Sequence, residues 1–220
     1  RVVCLEPASH QEAYAMTRDA FDLSERFHVP VMIRLVTRLA HSRGIVEVGD
    51  ARGENPPRKD LQSSAWVLLP GNARRQWRAL LDRFGEIRAY VSASRFNSVE
   101  RGSGVGFGVI TTGLARNYFL ETLDDLPARP AHLHVGAYPY PVETIRDFVA
   151  PLTRVLLLEE GYPYVERALR GIVPPARLEI QGRESGAVPA DGELNPDLVR
   201  AALGLPARAG VSLPGLSLPA

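Results

Sequence analysis

Apolar positions between residues 98 and 206 alternate between short strand-like runs and stripes with helical spacing. The runs FGVITTG, AHLHVGAY, RVLLLEE and ARLEIQG are each followed by a stretch whose apolar residues recur every three or four positions. Connections are short, and Asn195 followed by Pro196 marks the start of the last helix. This alternation predicts an α/β domain, in which a parallel sheet carries helices on both faces.

The first 48 residues show the same alternation once. Ser9 and Glu12 form a capping-box pattern at the start of a helix, and residues 28–30 (His-Val-Pro) end it. The run VMIRLVT then predicts a strand. A strand, a helix and a strand of this length indicate a βαβ unit of a parallel sheet, whose neighbouring strands we expect upstream of the chain. The predicted apolar stripe of the helix consists of Ala13, Met16, Ala20, Phe21 and Phe27.

Residues 49–97 are predicted to connect these two parts. GDARGENPPRKD has the composition of a loop, and RRQWRALLDRFGEIRAYVSAS has the pattern of an amphipathic helix. The arginines on its other side could bind an anion, but we favour the interpretation that they form a solvated helix face. The apolar side consists of Trp77, Leu80, Leu81, Phe84, Ile87 and Val91.

The two ends of the chain suggest a piece of a longer polypeptide. The sequence opens with RVVCLEP, which has the pattern of a strand interior and no initiating methionine. Residues 207–220 are rich in Pro, Gly, Ala and Ser, which is typical of a linker. The alternative is a processed small protein with a flexible tail.

Composition limits the possible partners and compartments. The 26 basic and 25 acidic residues almost cancel, and no basic run is interleaved with aromatic residues, so we expect no nucleic-acid partner. Apolar runs are too short and interrupted to span a membrane. The single cysteine excludes an intrachain disulfide and a cysteine-rich metal site. These features together favour a cytoplasmic protein.

Glycine and histidine patterns give no complete cofactor motif. The glycines of RGSGVGFGVITTG precede a strand instead of opening a helix after one, so a dinucleotide fingerprint is absent. His132 and His134 alternate within a predicted strand and therefore share one face. This spacing favours a packed, hydrogen-bonded pair over a metal site. We assign no catalytic residue from the sequence.

Glu159 and Glu160 end a strand-like run and are followed by a glycine and two tyrosines. Adjacent residues of a regular strand point to opposite faces, so these carboxylates cannot form a facing acid–base pair. We expect one of them to cap the following turn or to pair across a domain interface. Tyr162 and Tyr164 are expected to pack at the same interface.

Arg38, His41 and Arg43 are the candidates for residues near a substrate. They follow the carboxyl end of a predicted parallel strand, where α/β proteins place their ligands. A guanidinium group there could bind a carboxylate through two hydrogen bonds. Alternatively, these residues anchor the turn between two domains, an interpretation that we favour slightly.

Several stretches, in order along the chain, resemble one enzyme family. EPASHQEAYAMTRDAFDLSERFHVPVMIRLVTRLAHSRG and LLPGNARRQWRALLDRF are similar to the end of the pyrimidine-binding thiamine diphosphate domain in the alpha subunit of indolepyruvate:ferredoxin oxidoreductases. GVITTGLARNYFLETL, VGAYPYPVETIRDFV and RVLLLEEGYPYVERALRG resemble the transketolase C-terminal-like domain that follows it. The resemblance implies that residues 1–48 end the pyrimidine domain, 49–97 connect, 98–206 form the transketolase-like domain and 207–220 are a linker.

The same resemblance implies a reaction. Enzymes of this family oxidatively decarboxylate aryl-2-oxo acids such as indolepyruvate or phenylpyruvate. They use thiamine diphosphate, magnesium and [4Fe-4S] clusters, a smaller beta subunit, ferredoxin and, in some members, coenzyme A. The activating glutamate lies upstream of the matched part and the magnesium and cluster motifs lie downstream, so we expect this chain alone to bind no cofactor and to be inactive. The alternatives are a non-catalytic assembly module, or part of a related 2-oxoacid oxidoreductase or transketolase-like enzyme with another substrate.

Overall fold

The computed structural model describes residues 2–54, 66–104, 106–174 and 177–209, which form two sheets and the helices that cover them. The strands are β1 (Val3–Leu5), β2 (Val31–Ile33), β3 (Asn97–Glu100), β4 (Phe107–Thr112), β5 (Ala131–Val135), β6 (Ala137–Tyr138), β7 (Arg154–Leu158) and β8 (Glu179–Gln181). The helices are α1 (His10–Phe27), α2 (Thr37–His41), α3 (Pro70–Ser92), α4 (Ala115–Thr122), α5 (Val142–Val149), α6 (Tyr164–Ile172) and α7 (Pro196–Ala202).

The first sheet has the strand order β2-β1-β6. β1 and β2 pair in parallel with α1 between them, which confirms the predicted βαβ unit. The expectation that its neighbours lie only upstream was wrong for one edge, because β6 pairs with β1 in antiparallel orientation. The side chain of Asn97 directs the chain into β6 by accepting hydrogen bonds from the amides of Gly136 and Ala137, both at 3.0 Å. β2 is also shorter than predicted, since the chain enters α2 at Thr37.

Helix α1 begins and ends where the sequence predicts. The Ser9 hydroxyl accepts a hydrogen bond from the Glu12 amide at 3.1 Å, while the Glu12 carboxylate reaches back to the Ala8 amide, one residue earlier than expected. The predicted stripe was wrong at Phe21, which is 70% exposed. Leu23 is buried instead, because it lies one helical turn before the buried Phe27 and on the same side of the helix.

The second sheet has the order β3-β5-β4-β7-β8. Strands β4, β5, β7 and β8 are mutually parallel, which confirms the predicted α/β architecture. β3 adds an antiparallel edge strand that the sequence pattern did not reveal. One face of the sheet packs against α5 and α6 and the other against α4 and α7. Leu39 of α2 is buried in the second of these cores, so the first segment contributes directly to the packing of the second.

Helix α3 packs over only part of its length. Ile87 and Val91 are buried against the first sheet, whereas Trp77 and Leu81 are about half exposed, so the described residues bury the predicted apolar side most fully toward its C-terminal end. Part of the predicted loop, residues 55–60, and most of the predicted linker, residues 210–220, lie outside the described residues. Within the described ranges, no helix is both long and apolar enough to cross a membrane.

Candidate functional site

The carboxyl ends of strands from the two sheets meet at one place. Glu6 follows β1, Arg34 follows β2 and Glu160 lies two residues after β7, while Thr112 ends β4. Tyr138 of β6 completes the group. We call these five residues the junction. Carboxyl ends of parallel strands are the usual place for ligands in α/β proteins, so the junction is the candidate functional site.

Glu6 is the centre of the junction. Its side chain is 1% exposed, and Oε1 accepts hydrogen bonds from Nη2 of Arg34 at 2.8 Å and from Oγ1 of Thr112 at 3.3 Å. Oε2 accepts a hydrogen bond from the Tyr138 hydroxyl at 2.7 Å. A carboxylate withdrawn from water is costly unless charge and hydrogen bonds compensate it. Here one guanidinium and two hydroxyl groups do so.

Arg34 joins the two sheets directly. The nitrogen that contacts Glu6 also donates a hydrogen bond to the backbone oxygen of Glu160, at 3.0 Å. The guanidinium group lies over the ring of Tyr164, 5.6 Å from its centroid. Strand ends from both sheets are therefore linked through a single side chain, which is itself 27% exposed.

Gly113 allows the close approach of Glu6 to the second sheet. Its φ is +45°, and a Cβ atom at this position would lie 2.7 Å from Oε1 of Glu6. Because β5 and β7 flank β4 on opposite sides, the chain leaves β4 at the point where strand order reverses. Proteins with such sheets bind ligands in the crevice at this point. In this chain the Glu6 carboxylate lies at the β4 side of this point, against Thr112 and Gly113.

The three residues chosen from the sequence as substrate contacts lie beside the junction and do not converge on it. Arg38 of α2 donates a hydrogen bond to Oε2 of Glu193 at 3.2 Å, and its guanidinium group lies 5.8 Å from the ring centroid of Tyr118. His41 and Arg43 are exposed. Sequence reasoning missed Glu6 and Arg34, although each directly follows an apolar strand run, the signal that could have identified both.

Glu159 and Glu160 have different environments. The Glu159 carboxylate accepts hydrogen bonds from the amides of Val165 and Glu166, both at 2.9 Å, and so caps α6, as we expected for one of the two. Burial raises the pKa of Glu159 to about 7, against the lowering effect of these two amides. Burial, and then the charge of Glu193, raise the pKa of Glu160. The two carboxylates do not form a facing pair.

The two tyrosines after Glu160 pack against each other with tilted rings. Their ring centroids lie 4.8 Å apart. Tyr164 contacts Arg34 of the first segment, whereas Tyr162 contacts the guanidinium group of Arg167 in α6, 4.3 Å from the ring centroid. Only Tyr164 therefore contacts a residue of the junction.

Comparison with known proteins identifies relatives of one kind. No protein-family model matches the sequence. The chain is 36% identical over 213 residues to indolepyruvate oxidoreductase subunit IorA of Methanothermobacter thermautotrophicus, and 33% identical over 199 residues to the subunit of the same name from Archaeoglobus fulgidus. The chain therefore resembles the IorA subunits along most of its own length. The matches cover 92% and 87% of the chain but only 34% and 30% of those relatives, so the chain spans about a third of their length.

A solved structure shares the fold of this chain. The 2-oxoglutarate:ferredoxin oxidoreductase from Magnetococcus marinus, determined with 2-oxoglutarate, coenzyme A and succinyl-CoA bound, superposes with a TM-score of 0.59 at 14% identity. The match covers 92% of this chain and 41% of that one. At this identity the likeness concerns the fold alone, and it agrees with the α/β class predicted from the sequence.

The described residues do not fit the magnesium ion or the iron–sulfur clusters that the family resemblance implies. Among them, no group of three or more His, Cys, Asp or Glu residues could hold a metal ion. The single cysteine, Cys4, is buried, whereas a [4Fe-4S] cluster needs four thiolates. No step that uses magnesium or a cluster is therefore assigned to these residues.

His132 and His134 form the packed, hydrogen-bonded pair that the sequence predicted. Both rings contact Oγ1 of Thr111, Nε2 of His132 at 2.8 Å and Nδ1 of His134 at 3.0 Å. Burial lowers the pKa of His132 to about 4 and that of His134 to about 3. Both imidazoles are therefore neutral near pH 7, and they stabilise the neighbouring strands β4 and β5.

Proposed function

We propose that this chain is the part of an indolepyruvate oxidoreductase large subunit that fixes the end of a thiamine-binding pyrimidine domain on a transketolase C-terminal-like domain. Residues 1–48 belong to the first domain, 49–97 connect and 98–206 form the second. The IorA relatives support the assignment, and one observation of the structure carries it: Glu6 lies at the carboxyl end of β4, hydrogen-bonded to Thr112 and in close approach to Gly113. This strand end thus receives a side chain of the first segment.

The reaction inferred for the whole enzyme is the oxidative decarboxylation of aryl-2-oxo acids such as indolepyruvate. Thiamine diphosphate supplies the electron sink when bound, and [4Fe-4S] clusters, ferredoxin, a smaller subunit and, in some enzymes, coenzyme A complete the reaction. The residues of this chain contribute orientation. Arg34 and Tyr138 hold the Glu6 carboxylate away from water and thereby set the position of the first sheet relative to the second.

Arg38 is the candidate within this chain for contact with the substrate carboxylate. Its ion pair with Glu193 is exposed on both sides, at 45% and 51%, and such pairs contribute only about 0–1 kcal/mol. A substrate carboxylate could therefore replace Glu193 at little cost. His41 and Arg43 lie at and beyond the end of the same helix, and we propose that they border the same surface.

Substitution of Arg38 separates substrate binding from folding. In the complete enzyme, Arg38→Ala should raise the KM for the oxo acid several-fold while leaving the thermal midpoint within about 1 °C. Glu193→Gln is the matched control, because it removes the same ion pair but keeps the guanidinium group. A lower thermal midpoint with unchanged KM would show that Arg38 only anchors the turn between domains.

The proposed function itself is tested by comparing this chain with the complete enzyme. The large subunit with its smaller partner should reduce an electron acceptor when given indolepyruvate, thiamine diphosphate and magnesium. The 220-residue chain should give no binding heat with thiamine diphosphate and magnesium in calorimetric titration. Micromolar affinity of the chain would refute the domain assignment. A complete enzyme that assembles but has no activity would favour an assembly module instead.

A further inference from the structure

The N-terminal part of α3 and the residues before it expose large apolar side chains. We call the surface formed by Trp66, Leu68, Leu69 and Leu81 the α3 face. These side chains are 77%, 92%, 59% and 43% exposed, respectively. Single exposed apolar residues are ordinary on protein surfaces, but a group of large ones marks a place of interaction.

The described part of the chain covers this helix unevenly. Its apolar stripe continues from Leu81 through Phe84 and Ile87 to Val91, and only the last two residues are fully buried in the core of the first sheet. The stripe runs along the whole helix, while the described part of the chain covers only its C-terminal half. The apolar pattern of the N-terminal half is that of a helix whose whole apolar side packs against other parts of a protein.

The charge of this region limits what can cover it. Residues 66–81 contain Arg74, Arg75 and Arg78 and no acidic residue. The three arginines line a shallow cleft of about 480 Å³, together with Asp82 at the next turn. Two copies of this chain meeting about a two-fold axis would bring these arginines close together, which opposes self-association. A complementary surface is apolar in the middle and acidic at its edge.

We propose that the α3 face docks onto an acid-rimmed apolar surface of the same large subunit, outside these 220 residues. This inference rests on the proposed function. The length of the relatives supports it. The chain spans only 34% of its relative from Methanothermobacter thermautotrophicus, so a subunit of that length has many further residues that could cover the α3 face. The connector is then an interdomain contact as well as a link.

Hydrogen exchange tests this docking. Backbone amides of residues 70–81 should exchange at least tenfold more slowly in the complete large subunit than in the 220-residue chain. In the large subunit, the double substitution Leu68→Asp and Leu69→Asp should abolish this protection, and Arg74→Glu with Arg78→Glu should weaken it. Ile45→Asp is the matched control, since this apolar residue is 98% exposed but lies outside the α3 face.

The outcomes of the exchange experiment distinguish between the possible partners of the α3 face. Equal exchange in the chain and in the large subunit would overturn the proposal, and so would protection that appears only after the smaller subunit is added. Protection that depends on the concentration of the 220-residue chain would instead indicate a second copy. Oxidoreductase activity is measured separately: a protected helix in an inactive enzyme would refute the proposed function and leave the docking intact.

Discussion

The buried histidine pair and the capping carboxylate should give the chain an unusual dependence of stability on pH. His132 and His134 have folded-state pKa values of about 4 and about 3, below their ordinary 6.5. Glu159 has a folded-state pKa of about 7, above its ordinary 4.5. Between about pH 5 and 6, unfolding therefore takes up two protons at the histidines and releases one from the glutamate.

The magnitude follows from proton linkage. Each proton of net uptake changes the unfolding free energy by about 1.4 kcal/mol per pH unit. With a net uptake of one proton, these three groups together should lower the unfolding free energy by about 1.4 kcal/mol for each unit by which the pH falls. The histidines alone account for a loss of about 2.7 kcal/mol per unit, and Glu159 opposes it, because its stabilising neutral form becomes more populated as the pH falls toward 4.5.

Variants separate the two opposing contributions. Glu159→Gln should double the slope to about 2.7 kcal/mol per pH unit, because only the histidine uptake remains. The double variant His132→Gln and His134→Asn keeps a polar atom near Oγ1 of Thr111 and should reverse the sign, so that stability falls as the pH rises. Thr111→Val is a control for the hydrogen bonds without a titrating group.

Urea unfolding followed by far-ultraviolet circular dichroism, at several pH values from 5 to 6.5, measures these slopes. All other titrating groups are common to the variants, so differences between slopes isolate the three residues. A Glu159→Gln slope equal to that of the unaltered chain would show that this carboxylate is ionised in the folded state. A positive slope that persists in the double histidine variant would show that the imidazoles are not the groups that take up protons.

Four further substitutions test the junction, an exposed ion pair and a helix end. Glu6→Gln should lower the unfolding free energy by about 3 kcal/mol, because Arg34 loses its buried partner, and Glu193→Gln should change it by less than about 1 kcal/mol in the same denaturation assay. Gly113→Ala should cost about 1–3 kcal/mol through its positive φ and the approach to Glu6; an unchanged thermal midpoint would refute that geometry. Asn195→Ala should cost about 1 kcal/mol through loss of the α7 cap, seen as a lower urea midpoint with an unchanged slope, and no change would contradict the capping contact.

Periodicity predicted the second sheet well because its signals are local. Each parallel strand is a run of apolar residues bounded by a helix start, and Asn195 caps α7 through the hydrogen bond that its position predicts. Strand β3 and strand β6 could not be predicted in this way. They are short and pair with strands distant in sequence, and β6 depends on a hydrogen bond that the Ala137 amide donates to the side chain of Asn97, forty residues earlier.

The candidate site was only partly predictable for a related reason. Helix-forming and strand-forming patterns indicate where a strand ends, and from them we predicted candidate substrate contacts after β2. They do not indicate which of the following side chains turns inward. Arg34 turns inward because Glu6 and the Glu160 carbonyl lie within reach of it, whereas Arg38, one helical turn later, faces the exposed Glu193. Which arginine turns inward therefore depends on contacts with the second sheet, which lies far away in the sequence.

The junction also explains how a crevice of ligand-binding type can serve assembly. A crevice at the reversal of strand order offers polar groups at strand ends and room for a small anion. Glu6 supplies such an anion from the first sheet, held by the Thr112 hydroxyl and admitted by the missing side chain at Gly113. Arg34 then satisfies the buried charge and ties it to the strand end at Glu160. The second sheet thus recognises a carboxylate that belongs to its own chain, and the position of the first sheet is fixed by that recognition.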